Sequence, residues 1–458
     1  MKIKVVDFRE KMALMAGIVS KNPTLPITKN IWVGKGKLIC NNLEMMLTVD
    51  LPMSDDQEPC LIPYAEVMDL LKYTPGNEVM ILTQIKNTVK VSWGTGSSTF
   101  GTDNPVDFPF LEKQEPVSAA QLNGNLFIDA LQAAAKYAAD ESDQRSGLKG
   151  SIVYLGDTIQ VAGADGFRLS YQSLNLKYPE KGRVTIPIET VKTLAKLWQK
   201  APGSPNKKEN FVKTVLSPKQ LELALLPSLT RISWTGIEVI FKQNESAPPD
   251  FLALMATFKE SIKVKFYSID LLAALRRMSR VAKDSSSIVK IIWDNDYLSV
   301  YAGGEKNETS SRIDVDGSGP GRIGLNINYL IEYLADKEGL VEMGWNSKSE
   351  PVSFHFNNHP YQVIMPMNVQ AWPDDPVKPP EETKTETTQA ATSETVSNST
   401  QEETAAVDEE DPEGSVEEPI GEGAEEVPAA EGAGEQPAAE EEPVATEPKK
   451  RKRKVKTS

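Results

Sequence analysis

Cysteine and histidine are scarce in this chain. Its 458 residues include two cysteines, Cys40 and Cys60, and two histidines, His355 and His359. Two cysteines are too few for a disulfide framework or a zinc site, which favours a reducing compartment. Both histidines lie in one predicted hairpin without a third ligand, so neither a catalytic triad nor a metal site is indicated. We therefore predict a protein that is not an enzyme and that needs no cofactor.

Long apolar runs are also missing. No stretch approaches the roughly 20 apolar residues of a transmembrane helix, and the opening residues MKIKVVDFREK lack the apolar core of a signal peptide. The glycine clusters at 34–37, 94–98 and 317–321 match neither the phosphate loop nor the dinucleotide fingerprint, so we interpret them as turns. These absences predict a soluble, cytoplasmic protein with no membrane partner.

Charge is distributed unevenly along the chain. Of its 65 acidic and 50 basic residues, 24 and 9 fall in 371–458, which leaves 41 of each in the preceding part. Within 371–458, Trp372 is the one aromatic residue, and Glu, Pro, Ala, Thr and Ser predominate. Such a segment buries too little apolar surface to offset the entropy lost on ordering. We therefore predict a disordered acidic tail after a neutral folded body, which can still meet nucleic acid.

One pattern of helices and strands occurs three times. Each copy begins with an amphipathic helix, continues with a hairpin and a strand that leads into a second helix, and closes with further strands. Turn-forming pairs such as Asn41-Asn42 and Asn295-Asp296 connect the hairpins. The pattern predicts an α+β fold of three similar domains. The first helices are predicted at 7–21, 126–140 and 267–284, the domains at 1–115, 116–245 and 246–370, and the tail at 371–458.

Basic side chains follow one face of several predicted helices. After the strand VTIPI, the apolar residues Val191, Leu194 and Leu197 alternate with lysines at i, i+4 and i+8. A solvated helix face is the simpler interpretation for any single lysine, and a later helix carries the acidic Glu332 and Asp336 instead. Because several repeats share the basic face, we predict a phosphate-facing surface. It includes Lys136, Lys192, Lys196, Lys200, Arg276, Arg277, Arg280 and Lys283.

Three motifs, in this order, resemble one family. AGADGFRLS (162–170) follows a strand of the second repeat, SAPPDFLALM (246–255) lies between the second and third repeats, and QVIMPMNV (362–369) closes the third. Together they resemble the bacterial replicative sliding clamp, the beta subunit of DNA polymerase III, in a divergent form with a long acidic tail. The resemblance covers about residues 1–370. It is weak in the first repeat, where TLPIT (24–28) and DNPVDFP (103–109) are the best matches.

This resemblance implies a ring-shaped processivity factor. Two chains close head to tail as a homodimer, helices line a pore, and antiparallel sheets lie outside. The ring encircles double-stranded DNA without reading its sequence, which predicts a nucleoid-associated protein of the cytoplasm. It tethers the DNA polymerase catalytic subunit, the clamp loader and other proteins that carry a clamp-binding motif. Lys21 and Arg145 join the DNA-facing residues on this basis.

The resemblance also implies an apolar groove for short partner peptides, although packing at a domain junction explains the same motifs without a ligand. Phe167, Ala253 and Asn368 depart from the family pattern, and they make the groove more apolar and less cationic. The groove residues carried over are Leu148, Asp165, Gly166, Phe167, Arg168, Leu169, Pro249, Leu254, Val363, Met365, Pro366 and Met367.

The expected dimer interface comprises Phe100, Val281, Glu305 and Glu308. The arginines that usually precede the Phe100 position are missing from SSTF (97–100), so we do not expect their ion pairs at this interface.

Two questions remain open at this point. The chain could instead be a monomeric scaffold protein that does not encircle DNA and whose acidic tail binds basic proteins. The tail itself is either a solubilising segment or carries, in its basic end KKRKRKVKTS (449–458), a non-specific DNA tether or a nuclear-import signal.

Overall fold

The structure is a computed structural model, and its described residues belong to one compact unit, Met1–Lys378. The predicted tail beyond Pro373, including its basic end, lies outside the described residues. The described ranges are 1–52, 58–112, 114–200, 219–244, 246–303, 307–357, 359–369 and 371–373.

Seven α-helices occur within these ranges, and six of them pack as pairs, one pair in each repeat. The pairs are α1 with α2, α3 with α4, and α6 with α7, and the short α5 lies between the second and third repeats. The bounds are α1 (Val5–Met12), α2 (Tyr64–Tyr73), α3 (Gly124–Ala135), α4 (Ile188–Lys200), α5 (Phe251–Thr257), α6 (Ser268–Lys283) and α7 (Ile327–Leu334).

The first helix of each repeat follows its predicted extent to a different degree. α6 agrees with the prediction to within one residue at each end. α1 ends at Met12 instead of residue 21, and a 3₁₀ turn follows at Met15–Gly17. Gly17 favours this early end, since glycine is a poor helix former and short helices often finish in 3₁₀ turns. α3 ends at Ala135, before the predicted residue 140.

The described residues also form 25 strands, all paired in antiparallel fashion. Hairpins join β3 to β4, β10 to β11, β18 to β19 and β24 to β25, as predicted. The strands are β1 (Lys2–Lys4), β2 (Asn30–Gly34), β3 (Lys37–Asn41), β4 (Met45–Asp50), β5 (Cys60–Pro63), β6 (Val79–Ile85), β7 (Thr88–Trp93), β8 (Gly96–Gly101), β9 (Ser118–Asn123), β10 (Gly150–Leu155), β11 (Ile159–Ala164), β12 (Arg168–Leu174), β13 (Gly182–Pro187), β14 (Gln220–Leu225), β15 (Leu229–Trp234), β16 (Ile237–Lys242), β17 (Ile262–Tyr267), β18 (Ile288–Trp293), β19 (Tyr297–Gly303), β20 (Glu308–Asp314), β21 (Asp316–Gly317), β22 (Gly321–Asn326), β23 (Leu340–Trp345), β24 (Val352–His355) and β25 (Tyr361–Ile364).

The strands form four sheets, two of which extend across repeats. An eight-stranded sheet has the order β5-β2-β3-β4-β16-β15-β14-β9, and a nine-stranded sheet the order β13-β10-β11-β12-β25-β24-β23-β17-β21. They cross between repeats where β4 pairs with β16 and β12 pairs with β25. The two four-stranded sheets, β1-β6-β7-β8 and β20-β19-β18-β22, each stay within one repeat. Among the described strands, β8 and β20 are therefore edge strands.

Apolar side chains between the helix pairs and the sheets form the cores. The predicted inward face of α6 is buried, including Leu271, Leu275 and Met278. α3 packs so closely on β11 that a side chain at Gly163 would collide with the carbonyl oxygen of Ala134. Glycine is required there because helix and strand backbones approach each other directly.

Candidate functional site

An apolar groove lies where the second and third repeats meet. β12 and β25 form one wall, α5 forms the other, and the enclosed cavity measures about 280 Å³. The lining residues are Ala164, Gly166, Arg168, Leu169, Phe251, Leu254, Phe258, Pro351, Val363 and Met365. Six of these residues were predicted to line the groove. The cavity brings them together from three segments that are far apart in the sequence.

The turn before β12 gives the groove its shape. The carboxylate of Asp165 accepts hydrogen bonds from the backbone N–H groups of Phe167 and Arg168, both at 2.9 Å. Gly166 adopts φ +87°, a conformation that favours glycine. The backbone N–H of Met365 then donates to the carbonyl of Phe167 at 2.7 Å, which fastens the last wall residue to the turn.

Arg168 is held on all sides by its own chain. Its guanidinium donates to Asp165 at 2.8 Å and to Glu332 of α7 at 2.6 Å. It lies over the rings of Tyr137 and Tyr329, at 4.8 Å and 4.6 Å from their centroids. Burial lowers the pKa of Arg168, but the two carboxylates outweigh this and raise it above its ordinary value. The arrangement ties the groove wall to a helix of the third repeat.

Arg145, expected to face DNA, also takes part in the turn. Its guanidinium donates to the carboxylate of Asp143 at 2.6 Å and to the carbonyl of Asp165 at 2.9 Å. The hydrogen bond from Arg145 holds the pKa of Asp143 at about 2. Both contacts commit the Arg145 side chain to the groove side of the second repeat.

The other predicted groove residues surround the cavity without lining it. Leu148 is buried beneath it, in a cluster with Leu169 and Phe251. Phe167 is exposed at the turn. The carbonyl of Pro249 accepts the hydroxyl of Tyr154 at 3.2 Å, which anchors the segment that leads into α5. Asp165 shapes the turn, as described above, while Pro366 and Met367 continue past the cavity as half-buried residues.

Sequence reasoning missed four lining residues: Ala164, Phe251, Phe258 and Pro351. Ala164 and Phe251 lie inside the quoted motifs, so attention to the residues flanking the chosen ones would have found them. Phe258 and Pro351 lie outside every motif, and no local signal marks them.

Seven of the ten basic residues predicted to face DNA lie on exposed surfaces of α4 and α6. On α4, Lys192, Lys196 and Lys200 are exposed opposite the buried Val191, Leu194 and Leu197. On α6, the exposed set is Arg276, Arg277, Arg280 and Lys283, and Lys21 and Lys136 are exposed as well.

Some of these cations have partners within the chain. Lys192 pairs with Glu189 at 2.6 Å, and Lys136 lies 3.8 Å from Asp336. The guanidinium of Arg277 donates to the hydroxyl of Ser311 on β20 at 2.9 Å. Exposed pairs of this kind contribute little free energy, so the lysines can exchange one partner for another.

Comparisons with known proteins agree with this architecture. No family model matches the sequence, and no curated protein matches it. Solved structures do match. The beta subunit of DNA polymerase III from Pseudomonas aeruginosa superposes with a TM-score of 0.71 at 20% identity, over 81% of this chain and 99% of that chain. The beta subunit from Thermotoga maritima gives 0.68 at 15% identity, over 80% and 99%. The beta subunit from the Streptococcus pyogenes polymerase gives 0.69 at 17%, over 80% and 99%.

The chain has the sliding-clamp fold. This confirms the predicted α+β architecture of three similar clamp domains with antiparallel sheets. The low identity explains why the match is evident in the structure while no family model detects it in the sequence.

Two of the four predicted interface residues lie on edge strands of the fold. Phe100 lies on edge strand β8 and Glu308 on edge strand β20. Val281 is half-buried on α6 against the core of the third repeat. Glu305 lies outside the described residues.

The two histidines contact neighbouring side chains of the third repeat. His355 Nε2 lies 2.9 Å from the carboxylate of Glu260, which also accepts hydrogen bonds from Ser353 and Tyr361. The His359 ring packs 5.0 Å from that of Phe356. Within the described ranges, no group of three or more His, Cys, Asp or Glu side chains is positioned to hold a metal ion, and no helix is long and apolar enough to cross a membrane.

Proposed function

We propose that this chain is a DNA sliding clamp. Two copies pair into a ring around duplex DNA, and the ring tethers a polymerase through the apolar groove. The supporting observation is the sliding-clamp fold, which matches 99% of the length of each quoted neighbour. The function is to hold other proteins on DNA, so the chain acts as an accessory subunit and not as an enzyme.

Ring closure uses two of the edge strands, β8 and β20. Within the described ranges, β8 in the first repeat and β20 in the third each have one side that pairs with no other strand. An antiparallel pairing between β8 of one copy and β20 of the other satisfies the backbone groups on these sides and continues the sheet across the interface. The same pairing at both seams closes a twofold ring. Domain limits at 1–115, 116–245 and 246–370 give each copy three of the six domains in that ring.

The basic faces of α4 and α6 suit a ring that slides. Their lysine and arginine side chains are exposed and reach phosphates without fixed geometry. Each phosphate contact steepens the plot of log affinity against log salt by about 0.9. A few contacts at a time therefore give weak, sequence-independent attraction, and topology supplies the retention. Action on chromosomal DNA implies a nucleoid-associated protein of the cytoplasm.

The groove suits short peptides with one or two apolar anchors. A cavity of about 280 Å³ accepts a leucine or phenylalanine side chain, and Met365 and Leu254 supply adaptable apolar walls. The partners proposed for it are the polymerase catalytic subunit, the clamp loader and other proteins with a clamp-binding motif. Arg168 is engaged by its own chain, and Ala253 and Asn368 add no charge. The preferred peptide is therefore anchored by apolar contacts more than by ion pairs.

The test is topological. Full-length protein is diluted until its dimers separate, then concentrated with nicked circular duplex, and the complex is isolated by gel filtration at high salt. We expect the protein to elute with the circle and to leave it after a restriction enzyme cuts the DNA once. Protein concentrated with linear duplex of the same sequence is the control and should elute free.

A charge-reversal variant, Lys196→Glu with Lys200→Glu, separates topology from attraction. It should weaken binding to linear DNA at low salt and reduce the salt slope by about 4 at most, since both copies of the ring carry both substitutions. Once assembled, its retention on the circle should persist. Protein that stays on the DNA after cutting would contradict the ring.

A further inference from the structure

The residues that follow the groove wall form a strap on the third repeat. We define the C-terminal strap as residues 367–369 and 371–373. The backbone N–H of Met367 donates to the carbonyl of Gly324 on β22 at 2.8 Å. The Val369 side chain occupies the place that a side chain at Gly324 would need. Farther on, the guanidinium of Arg322 lies over the ring of Trp372, 4.9 Å from its centroid. The strap is thus attached at successive points along its length.

The strap crosses the outer face of the four-stranded sheet β20-β19-β18-β22. One cross-strand row of that sheet runs Gly324, Lys290, Tyr301 and Ser310, from β22 to β20. The strap begins at Gly324, at one end of the row. Its residues 371–373 border a cavity of about 610 Å³ together with Lys290, Tyr301 and Ser310. The opposite face of the sheet, with Val289 and Val300, faces the buried core.

The end of the strap shares its cavity with the edge strand β20. Glu308, Thr309 and Ser310 of β20 border the same cavity as Trp372. In the proposed ring, β8 of a second copy lies beside β20 at about 4.8 Å, the spacing of paired strands. Aromatic side chains reach diagonal neighbours about 7–8 Å away across such a pair. Trp372 and these β20 residues border one cavity on the outer face, beside the edge that the incoming strand would meet.

The surface of β8 fits this contact. Along β8, exposed residues alternate with half-buried ones, and the exposed positions include Ser97 and Thr99. Both side chains are small, so an incoming β8 leaves room for an indole above it. Both lie in SSTF (97–100), where the family resemblance implies arginines before Phe100 and this chain has none. A tryptophan can replace such ion pairs at an interface, because its side chain offers a large apolar area and one N–H donor.

We infer that the C-terminal strap is an interaction surface for a second copy of this chain, with Trp372 as its anchor over β8 of the partner. The inference rests on the proposed ring.

The experiment measures the dimer dissociation constant of the full chain by sedimentation velocity over a dilution series. Trp372→Ala should raise that constant about tenfold or more, as expected for an interface tryptophan. A chain that ends after Pro373 keeps the strap and should match the wild type. Phe100→Ala serves as the positive control on β8, and Val106→Ala, an exposed apolar residue elsewhere, as the neutral control.

The outcomes are distinguishable. If Phe100→Ala weakens the dimer and Trp372→Ala does not, the strap has no interface role while the ring survives. If Trp372→Ala lowers the melting temperature of the monomer and leaves the dissociation constant unchanged, the strap only covers its own sheet, and the inference is wrong. If the wild type stays monomeric at every concentration, the proposed ring itself fails.

Discussion

Arg168 on β12 and Glu332 on α7 join the second and third repeats through an ion pair of 2.6 Å. The Arg168 side chain is 12% exposed and that of Glu332 46%. Glu332→Gln should therefore lower the free energy of unfolding by only about 1 kcal/mol, since solvent screens the carboxylate. Arg168→Met leaves the Asp165 carboxylate without its partner and should cost about 3 kcal/mol. Urea unfolding measures both.

The double variant tests whether these two residues act together. Its loss should be smaller than the sum of the single losses by about 0.5–1 kcal/mol, because the second substitution removes a partner already lost. Strict additivity would show that the ion pair contributes no coupling across the junction.

Leu254 and Met365 are the best groove residues for a binding test, because they are 43% and 40% exposed and contribute little to folding. Leu254→Ala and Met365→Ala should each lower the affinity of the groove for a fluorescent peptide with leucine and phenylalanine anchors about tenfold. The reason is a loss of about 1.5 kcal/mol of apolar contact. Fluorescence anisotropy measures the affinity. Val106→Ala is the matched control and should bind normally. Leu169→Ala also disrupts the groove, but it is a core residue and should cost about 2–5 kcal/mol of stability.

Gly163 tests the packing of α3 on β11. Gly163→Ala places a methyl group against the carbonyl oxygen of Ala134 and should lower the free energy of unfolding by about 3 kcal/mol. Gly182→Ala is the control, since its methyl group would meet only side-chain atoms at 3.8 Å and 3.9 Å, an ordinary contact distance. Equal stabilities of the two variants, measured by thermal unfolding, would contradict the close approach.

The environment of Glu260 should make the protein lose stability in acid. Burial raises the pKa of Glu260, but the hydrogen bonds from His355 and Ser353 outweigh it and lower the pKa to about 2, from 4.5 in an unperturbed chain. The depressed pKa means that the folded state favours the carboxylate. This stabilisation is complete above pH 4.5 and is lost as the pH falls towards 2. Between pH 4.5 and 2, the free energy of unfolding of Glu260→Gln should therefore fall by about 2 kcal/mol less than that of the wild type. Parallel curves would refute the assignment.

The two buried cysteines can be used to detect local opening of the core around them. Burial raises the pKa of Cys60 to about 12 and that of Cys40 still further, so both remain thiols at neutral pH. We expect no reaction of the native chain with a thiol reagent within minutes, and the release of two equivalents in denaturant. Rapid labelling of the native protein would show that one of these sites opens readily.

Much of the local structure followed from local signals. The apolar spacing of α6 located that helix to within a residue, and the turn residues located four hairpins, since periodicity and turn chemistry act over a few neighbouring residues. The early end of α1 was missed, because propensity alone sets helix ends poorly. Six groove residues were found through short motifs. Phe258 and Pro351 were not, because only folding brings them to the cavity.

The sequence by itself determined a threefold α+β repeat, a neutral body with an acidic extension, and basic helix faces, because each depends on composition or on spacing along the chain. The tertiary structure decided which distant segments meet. It joined β12 to β25, enclosed Arg168 between two carboxylates and two tyrosines, and placed the Trp372 ring over Arg322 of β22. These contacts depend on backbone register and close packing between residues far apart in sequence, which no local pattern encodes.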